Sequence, residues 1–385
     1  MKIYLDNAAT TQPAKEVIKE IDRIQNKIYG NASSLHSFGK EAKRELEKAR
    51  TIIAKKINAR PEEIIFTSGG SESDNLALQG YALANKNKGN HIITTIIEHQ
   101  AILNTCKALS PQGFKIDYLS INNEGTINLK ELEKKITKHT ILISVMHANN
   151  EIGTVQNLKA IGKICKKHKI AFHTDAVQSF TKVPIDVKKM NLDLASLSAH
   201  KIHGPKGVGA LYVKKGIKLN KLIYGGLQEN NLRSGTENIA GITGFAKAST
   251  LNPKMKEITN LRNYMIQKIL KEISNSHLNG SLKQRLCNNI NIRFDFVEGE
   301  SILFLLNENG IAVSTGSACS THTLKPSYVL LALGLKHEQV HGSIRFTLSK
   351  YTTKKEIDYT IKHLKIIIKK LRRISPLTKW NTQKK

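Results

Sequence analysis

The sequence predicts an α/β fold built on a mainly parallel sheet, with a smaller α+β unit after it. Short apolar runs alternate with helix-period segments through the first half, as strand–helix–strand units do. The residues best suited to chemistry fall at the ends of those runs, where open α/β sheets bind their ligands. From about residue 250 the texture changes to long amphipathic segments and an alternating apolar–polar run.

Taken in order, residues 64–67 (Ile-Ile-Phe-Thr) form a short strand, Ser68-Gly69-Gly70 turns the chain, and a helix opens at Ser71 and runs to Tyr81. Further strands are predicted at 91–97, 141–146, 170–173 and 194–197, with helices at 129–136 and 158–168 between them. Residues 209–213 add a strand after a glycine-rich turn at 204–207, antiparallel to its neighbours if the turn is tight. In the last third, 261–273 has helical spacing, 288–296 alternates as a half-buried strand does, 343–348 is a strand and 356–371 an amphipathic helix.

The chain has 385 residues, 40% of them hydrophobic, enough for a large domain and a smaller one and too apolar for a disordered protein. It has no apolar run of the about 18 residues a transmembrane helix needs, and its start lacks the features of a signal or transit peptide. A cytoplasmic protein is the expectation. Four cysteines, Cys106, Cys165, Cys287 and Cys319, with none at a C-x-x-C spacing, build neither a disulfide framework nor a zinc site. The formal charge of +29 comes from 49 Lys and 11 Arg. Readers of bases and phosphates favour Arg, so scattered lysines point to a solvated surface without direct nucleic-acid binding.

Four motifs carry chemistry. Thr67-Ser68-Gly69-Gly70-Ser71 leads into a helix N-terminus, a phosphate site or equally an ordinary capped turn. Asp175 ends the strand Phe172-His173-Thr174, where a buried carboxylate needs a partner such as a protonated ring nitrogen, unless it is a helix N-cap. Ser198-Ala199-His200-Lys201 ends another strand; a lysine facing the sheet crevice is explained by use of its amine, as in Schiff-base chemistry. Ser314-Thr315-Gly316-Ser317-Ala318-Cys319-Ser320 reads as a mobile surface loop, and a thiol at its tip is either reactive or incidental.

Together these motifs resemble the cysteine desulfurases, the pyridoxal-phosphate enzymes of fold type I in aminotransferase class V, and most closely the NifS/IscS-like group that serves iron–sulfur cluster assembly. The resemblance runs in order through residues 4–11, 31–39, 67–75, 98–99, 146–155, 173–178, 198–209, 233–238 and 314–320 to Arg345 and 375–377. It implies a large domain (13–248) with a mainly parallel seven-stranded sheet, and a small domain (1–12 and 249–385) carrying the mobile Cys319 loop. It implies pyridoxal 5′-phosphate as cofactor, linked to Lys201, with Asp175 on the pyridine nitrogen, Gln178 on the phenolic oxygen, and His99 on the ring face helping proton transfer. Gly70, Ser71, Ser198 and His200 would hold the phosphate, with Thr236 of a second subunit. Asn150 would sit beside ring and substrate, and Arg345 would take the substrate carboxylate, a fork that lysine cannot imitate.

Cys319 would attack the sulfur of L-cysteine, leaving a persulfide and L-alanine. The persulfide would pass to an iron–sulfur scaffold protein or a tRNA-thiolating enzyme. The chain would have no metal site of its own, Cys319 touching an iron–sulfur species only transiently. A homodimer is the minimum unit. Three positions depart from the family pattern: Ala32 replaces a proline, Ser71 a threonine, and the chain ends soon after Trp380, where relatives often continue with a scaffold-docking tail. The alternative reading is a selenocysteine lyase or another class V aminotransferase.

Overall fold

The computed structural model describes residues 1–315 and 326–376; Cys319 and the tail around Trp380 lie outside the described residues. The central sheet has seven strands among the described residues: β1 (Ile64–Thr67), β2 (His91–Thr95), β3 (Lys115–Leu119), β4 (Thr140–Ser144), β5 (Ala171–Asp175), β6 (Leu194–Ser198) and β7 (Gly209–Val213). Their spatial order is β1-β7-β6-β5-β4-β2-β3. All neighbours are parallel except β7, which is antiparallel to both β1 and β6.

Strand residues alternate between two cores, as a period of two requires. Phe66, Ile93, Ile143, Phe172, Leu197 and Ala210 enter one cluster, and Ile65, Ile92, Leu142, Ala171, Leu194 and Leu211 the other. Both faces are therefore covered, which is why these strands read as continuous apolar runs. Helices α1 (Lys15–Lys27) and α2 (Ser37–Lys56) pack on the first face with Ile239–Thr250, and the helix Leu158–His168 joins the same core through Ile161 and Cys165.

A second sheet of four antiparallel strands contains Ser314–Thr315, Ser343–Thr347, Asn289–Phe294 and Ser276–Leu278, in that order. Met265, Ile292, Phe346, Ile361 and Leu364 form its core. Ile3 and Leu5 join this core, and Ile3–Tyr4 pairs in parallel with Ile311–Ala312. The closing helix Lys354–Ile374 is started by a capping box: Thr353 Oγ1 accepts from Glu356 N–H, and Glu356 accepts from Thr353 N–H at 2.7 Å.

The differences from expectation have local causes. The strand expected to reach residue 97 stops at Thr95, whose hydroxyl donates to Glu98 at 2.8 Å and accepts from Ile97 N–H at 3.3 Å, turning the chain. The strand expected at 170–173 runs on to Asp175, so the acid belongs to the strand itself. β3 carries Lys115 and Asp117 on a largely uncovered sheet edge, where no apolar pattern is required, and so shows no strand signal.

A buried ion pair locks α2 to the sheet. Arg50 donates to both oxygens of Glu229 at 2.7 Å and to Ile64 O, while Glu229 also accepts from Phe66 N–H at 2.7 Å. Glu229→Ala should cost about 3 kcal/mol, the low end for breaking a buried pair because Glu47 stays on Arg50. Urea unfolding of the full chain measures it.

Candidate active site

The site forms at the C-terminal ends of the parallel strands. Thr67 of β1, Gly209 of β7 and Ser198 of β6 lie side by side in register. A Cβ on Gly209 would stand 2.7 Å from the Gly69 backbone, so only glycine lets the turn after β1 close over β7. That turn leads into α3 (Gly70–Asn75), where Gly70 packs against Val177. Thr67 and Ser73 hydroxyls bond at 2.8 Å and Ser68 N–H donates to Glu72 at 2.8 Å, which holds the helix start next to Ser198. Ser71 is exposed there.

Asp175 pairs in register with Ser196, and its Oδ1 accepts from Val177 N–H at 2.8 Å. Burial pushes its carboxyl up, while nearby His99 and Lys201 pull it back down. These groups, 76 residues apart for Asp175 and His99 and 26 for Asp175 and Lys201, therefore share one electrostatic neighbourhood. His99 caps the helix α4 (Gln100–Leu109): its Nδ1 accepts from Ala101 N–H at 3.1 Å, so the ring proton of the neutral imidazole sits on Nε2.

Lys201 ends the short turn after β6. Its ammonium donates to Ala8 O at 2.7 Å and Ala9 O at 2.6 Å. Gln178 Nε2 donates to the same Ala8 O at 2.9 Å. His200 meets Thr10 through Nδ1 at 3.1 Å, and burial lowers its imidazole to about 4, leaving it neutral.

From the second sheet comes Arg345, 2% exposed. Its Nη2 pairs with Asp6 at 2.9 Å and its Nη1 donates to Asn150 O at 3.0 Å. Three buried polar atoms of the expected set have no partner among the described residues: Ser198 Oγ, Asn150 Oδ1 and Arg345 Nε. Orphans of this kind are rare in native folds unless a ligand completes them. A hydroxyl beside a helix start, an amide and a guanidinium nitrogen fit the phosphate and carboxylate of an anionic cofactor and its amino-acid substrate. Thr236 is exposed and takes no part in these hydrogen bonds; its loop is tied to α3 by Arg233 and Glu72 at 3.0 Å.

Sequence reasoning passed over Asp6, the carbonyls of Ala8 and Ala9, and the buried acids Asp74, Glu98 and Glu151. All lie inside or beside matched segments, but their roles need partners from distant segments. Burial pushes Glu98 up to about 8 and Glu151 up to about 7. Ser327 Oγ donates to Glu151, and Tyr328 OH donates to Glu98 O at 2.6 Å.

The family described as aminotransferase class-V matches residues 3–360. The chain belongs to that family, among its cysteine desulfurases. A cysteine desulfurase IscS of Dictyoglomus turgidum is 50% identical, covering 100% of this chain and 99% of its own length. One of Methanosarcina thermophila is 49% identical over 98% of this chain and 94% of its own length. Among solved structures, a NifS-like protein matches 96% of this chain and 100% of its own at TM-score 0.90 and 39% identity. A structure titled SspA in complex with cysteine matches 91% of this chain and 100% of its own at TM-score 0.83 and 38% identity. Cysteine desulfurases are pyridoxal-phosphate enzymes, and the fold type expected from the sequence is the one observed.

For this cysteine desulfurase, Ser198→Ala removes a buried hydroxyl that has no partner among the described residues. The cofactor-free chain should be unchanged or more stable by up to about 1 kcal/mol in urea unfolding, the reverse of losing a satisfied hydrogen bond.

Proposed function

We propose that the protein takes sulfur from L-cysteine, releases L-alanine and leaves a persulfide on Cys319. The observation that carries this reading is the convergence of Asp175, His99 and Lys201 at the C-terminal ends of β5, β2 and β6, beside three buried polar atoms with no partner among the described residues. When bound, pyridoxal phosphate supplies an electron sink for bond breaking at the α- and β-carbons of the substrate.

Each residue then has a task. Asp175 is the anion for the pyridine nitrogen, Gln178 reaches the phenolic oxygen, and His99 lies against the ring. Gly70, Ser71, Ser198 and His200 hold the phosphate, with Thr236 of a second subunit, a role its exposure suits. Lys201 is the attachment point and moves a proton at the substrate α-carbon, its ammonium steadied by Ala8 and Ala9 carbonyls. Arg345 offers its unpartnered Nε to the substrate carboxylate while Asp6 and Asn150 O fix its plane. The Cys319 thiolate attacks the substrate sulfur; the S–S bond forms, the carbon–sulfur bond breaks, and its electrons remain on the β-carbon, which takes a proton.

Burial pushes the thiols of Cys106, Cys165 and Cys287 up, which keeps them protonated and supports Cys319 as the nucleophile. The parts built on the two sheets, 13–248 and 1–12 with 249–385, act as large and small domains. Exposed Tyr29, Leu35, Phe38, Tyr224 and Leu227 support a homodimer. Sulfur passes to an iron–sulfur scaffold and a tRNA-thiolating enzyme in the cytoplasm. No helix among the described residues is long and apolar enough to cross a membrane.

Purified protein given L-cysteine and a thiol reductant should yield alanine and sulfide in equal amounts. Cys319→Ala should lower that turnover about 10³-fold or more while the cofactor's visible absorption is kept. Full turnover by this variant overturns the assignment. Lys201→Ala should remove the absorption change on borohydride reduction. Arg345→Lys should lower kcat/KM for L-cysteine about 10- to 100-fold, the worth of one or two charge-assisted hydrogen bonds.

A further inference from the structure

One turn beyond Ser71, the helix that starts the proposed phosphate cradle sends a carboxyl group, Asp74, into the interior behind Asp175. Asp74 is 1% exposed, and its Oδ1 has no hydrogen-bond partner among the described residues. The nearest basic group is His173 Nε2, 3.8 Å away. That imidazole is already engaged on both sides, Nδ1 with Ser144 Oγ at 2.8 Å and Nε2 with Ser196 Oγ at 3.0 Å. Burial lowers it to about 3, so it is neutral and offers Asp74 no counter-charge. Burial and the Asp175 carboxyl from β5 push the Asp74 carboxyl up, the Ser196 hydroxyl, which also meets His173, pulls it down, and the Glu98 carboxyl from the turn after β2 adds to the rise.

Asp175 is placed differently. It lies on the same strand and the same face as His173, two residues on, but it accepts a backbone N–H and feels the Lys201 ammonium. Two neighbouring buried carboxyls do not both ionise at neutral pH, and the one with donors and cations takes the charge. We propose that Asp74 is the protonated member of this pair, a positioning residue whose proton leaves Asp175 as the anion. The proposal deepens the reading above, in which Asp175 must be an anion to hold a protonated ring nitrogen. It gives a purpose to an otherwise costly buried acid on the cradle helix, and it lets burial raise Asp175's surroundings without neutralising it.

The asparagine side chain has the shape of a protonated aspartate and cannot ionise, so D74N separates the two charge states. Infrared difference spectra of the full-length protein, recorded without cofactor and then with pyridoxal phosphate, should lose one protonated-carboxyl C=O band at pH 7.5 in D74N. D175N should keep that band. Either persistence of the band in D74N or its loss in D175N overturns the proposal, and the D175N arm decides alone if D74N does not fold.

Urea unfolding gives an independent readout. Asp74 held protonated in the fold has a raised pKa, so its contribution is present at low pH and is lost as pH rises above the ordinary aspartate value. The folding equilibrium constant of the wild type should fall relative to D74N by about tenfold per pH unit between pH 5 and 7. A ratio that stays flat over that range shows Asp74 ionised and overturns the proposal. Neither readout uses L-cysteine, so failure here and failure of the desulfurase reading are separable.

Discussion

Asp6 to Thr11 tie the two sheets together, and the site depends on that tie. Asn7 donates to Thr347 O at 2.7 Å and Ala8 N–H to Thr347 Oγ1 at 2.8 Å, fastening the segment to the second sheet. Thr11 donates to His200 O at 2.8 Å, fastening it to the turn after β6. Along that segment the Ala8 and Ala9 carbonyls face the Lys201 ammonium, and Asp6, at its start, faces the Arg345 guanidinium. The Lys201 amine and the Arg345 guanidinium belong to different cores, yet both are referenced to one stretch of backbone. Charge-assisted hydrogen bonds are short and directional, so this arrangement fixes where the two cationic groups stand relative to each other.

Around that tie the site collects charge in a place that burial makes expensive. Asp74, Glu98, Glu151 and Asp175 all lie in the interior, and burial raises each of them. Their cost is offset unequally: Asp175 has the Lys201 ammonium and an N–H donor, Glu98 has Thr95 and Met146 N–H on one oxygen, Glu151 has Ser327, and Asp74 has the Ser196 hydroxyl and no cation. Such inequality separates groups that carry charge from groups that carry a proton. Glu98 and Glu151 also reach Tyr328 and Ser327, so residues flanking His99 and Asn150 hold the start of the helix Tyr328–Ala332.

Much of the large sheet was legible because its strands are buried on both faces and so spell apolar runs between glycine turns. β6 and the helix Leu158–His168 fall where periodicity put them, and the antiparallel β7 follows from its tight turn. β3 escaped notice because an edge strand can be polar on a face that nothing covers. The exact end of β2 escaped because a single hydroxyl, Thr95 Oγ1, competes with the ladder for the next N–H.

The chain's residue order alone settled which chemistry was on offer. An acid, an amine and a glycine turn at strand ends, in one continuous succession of motifs, are local facts that need no coordinates. It also settled the fold class, since hydrophobic period is a property of neighbours along the chain. Which groups touch was decided only in three dimensions. Lys201 meets Ala8, Arg345 meets Asp6, and Asp74 comes to lie behind Asp175 because parallel strands in register bring distant segments side by side. Charge state follows from those meetings: burial and the number of nearby donors set whether a carboxyl ionises, and both are properties of the packed chain rather than of its sequence.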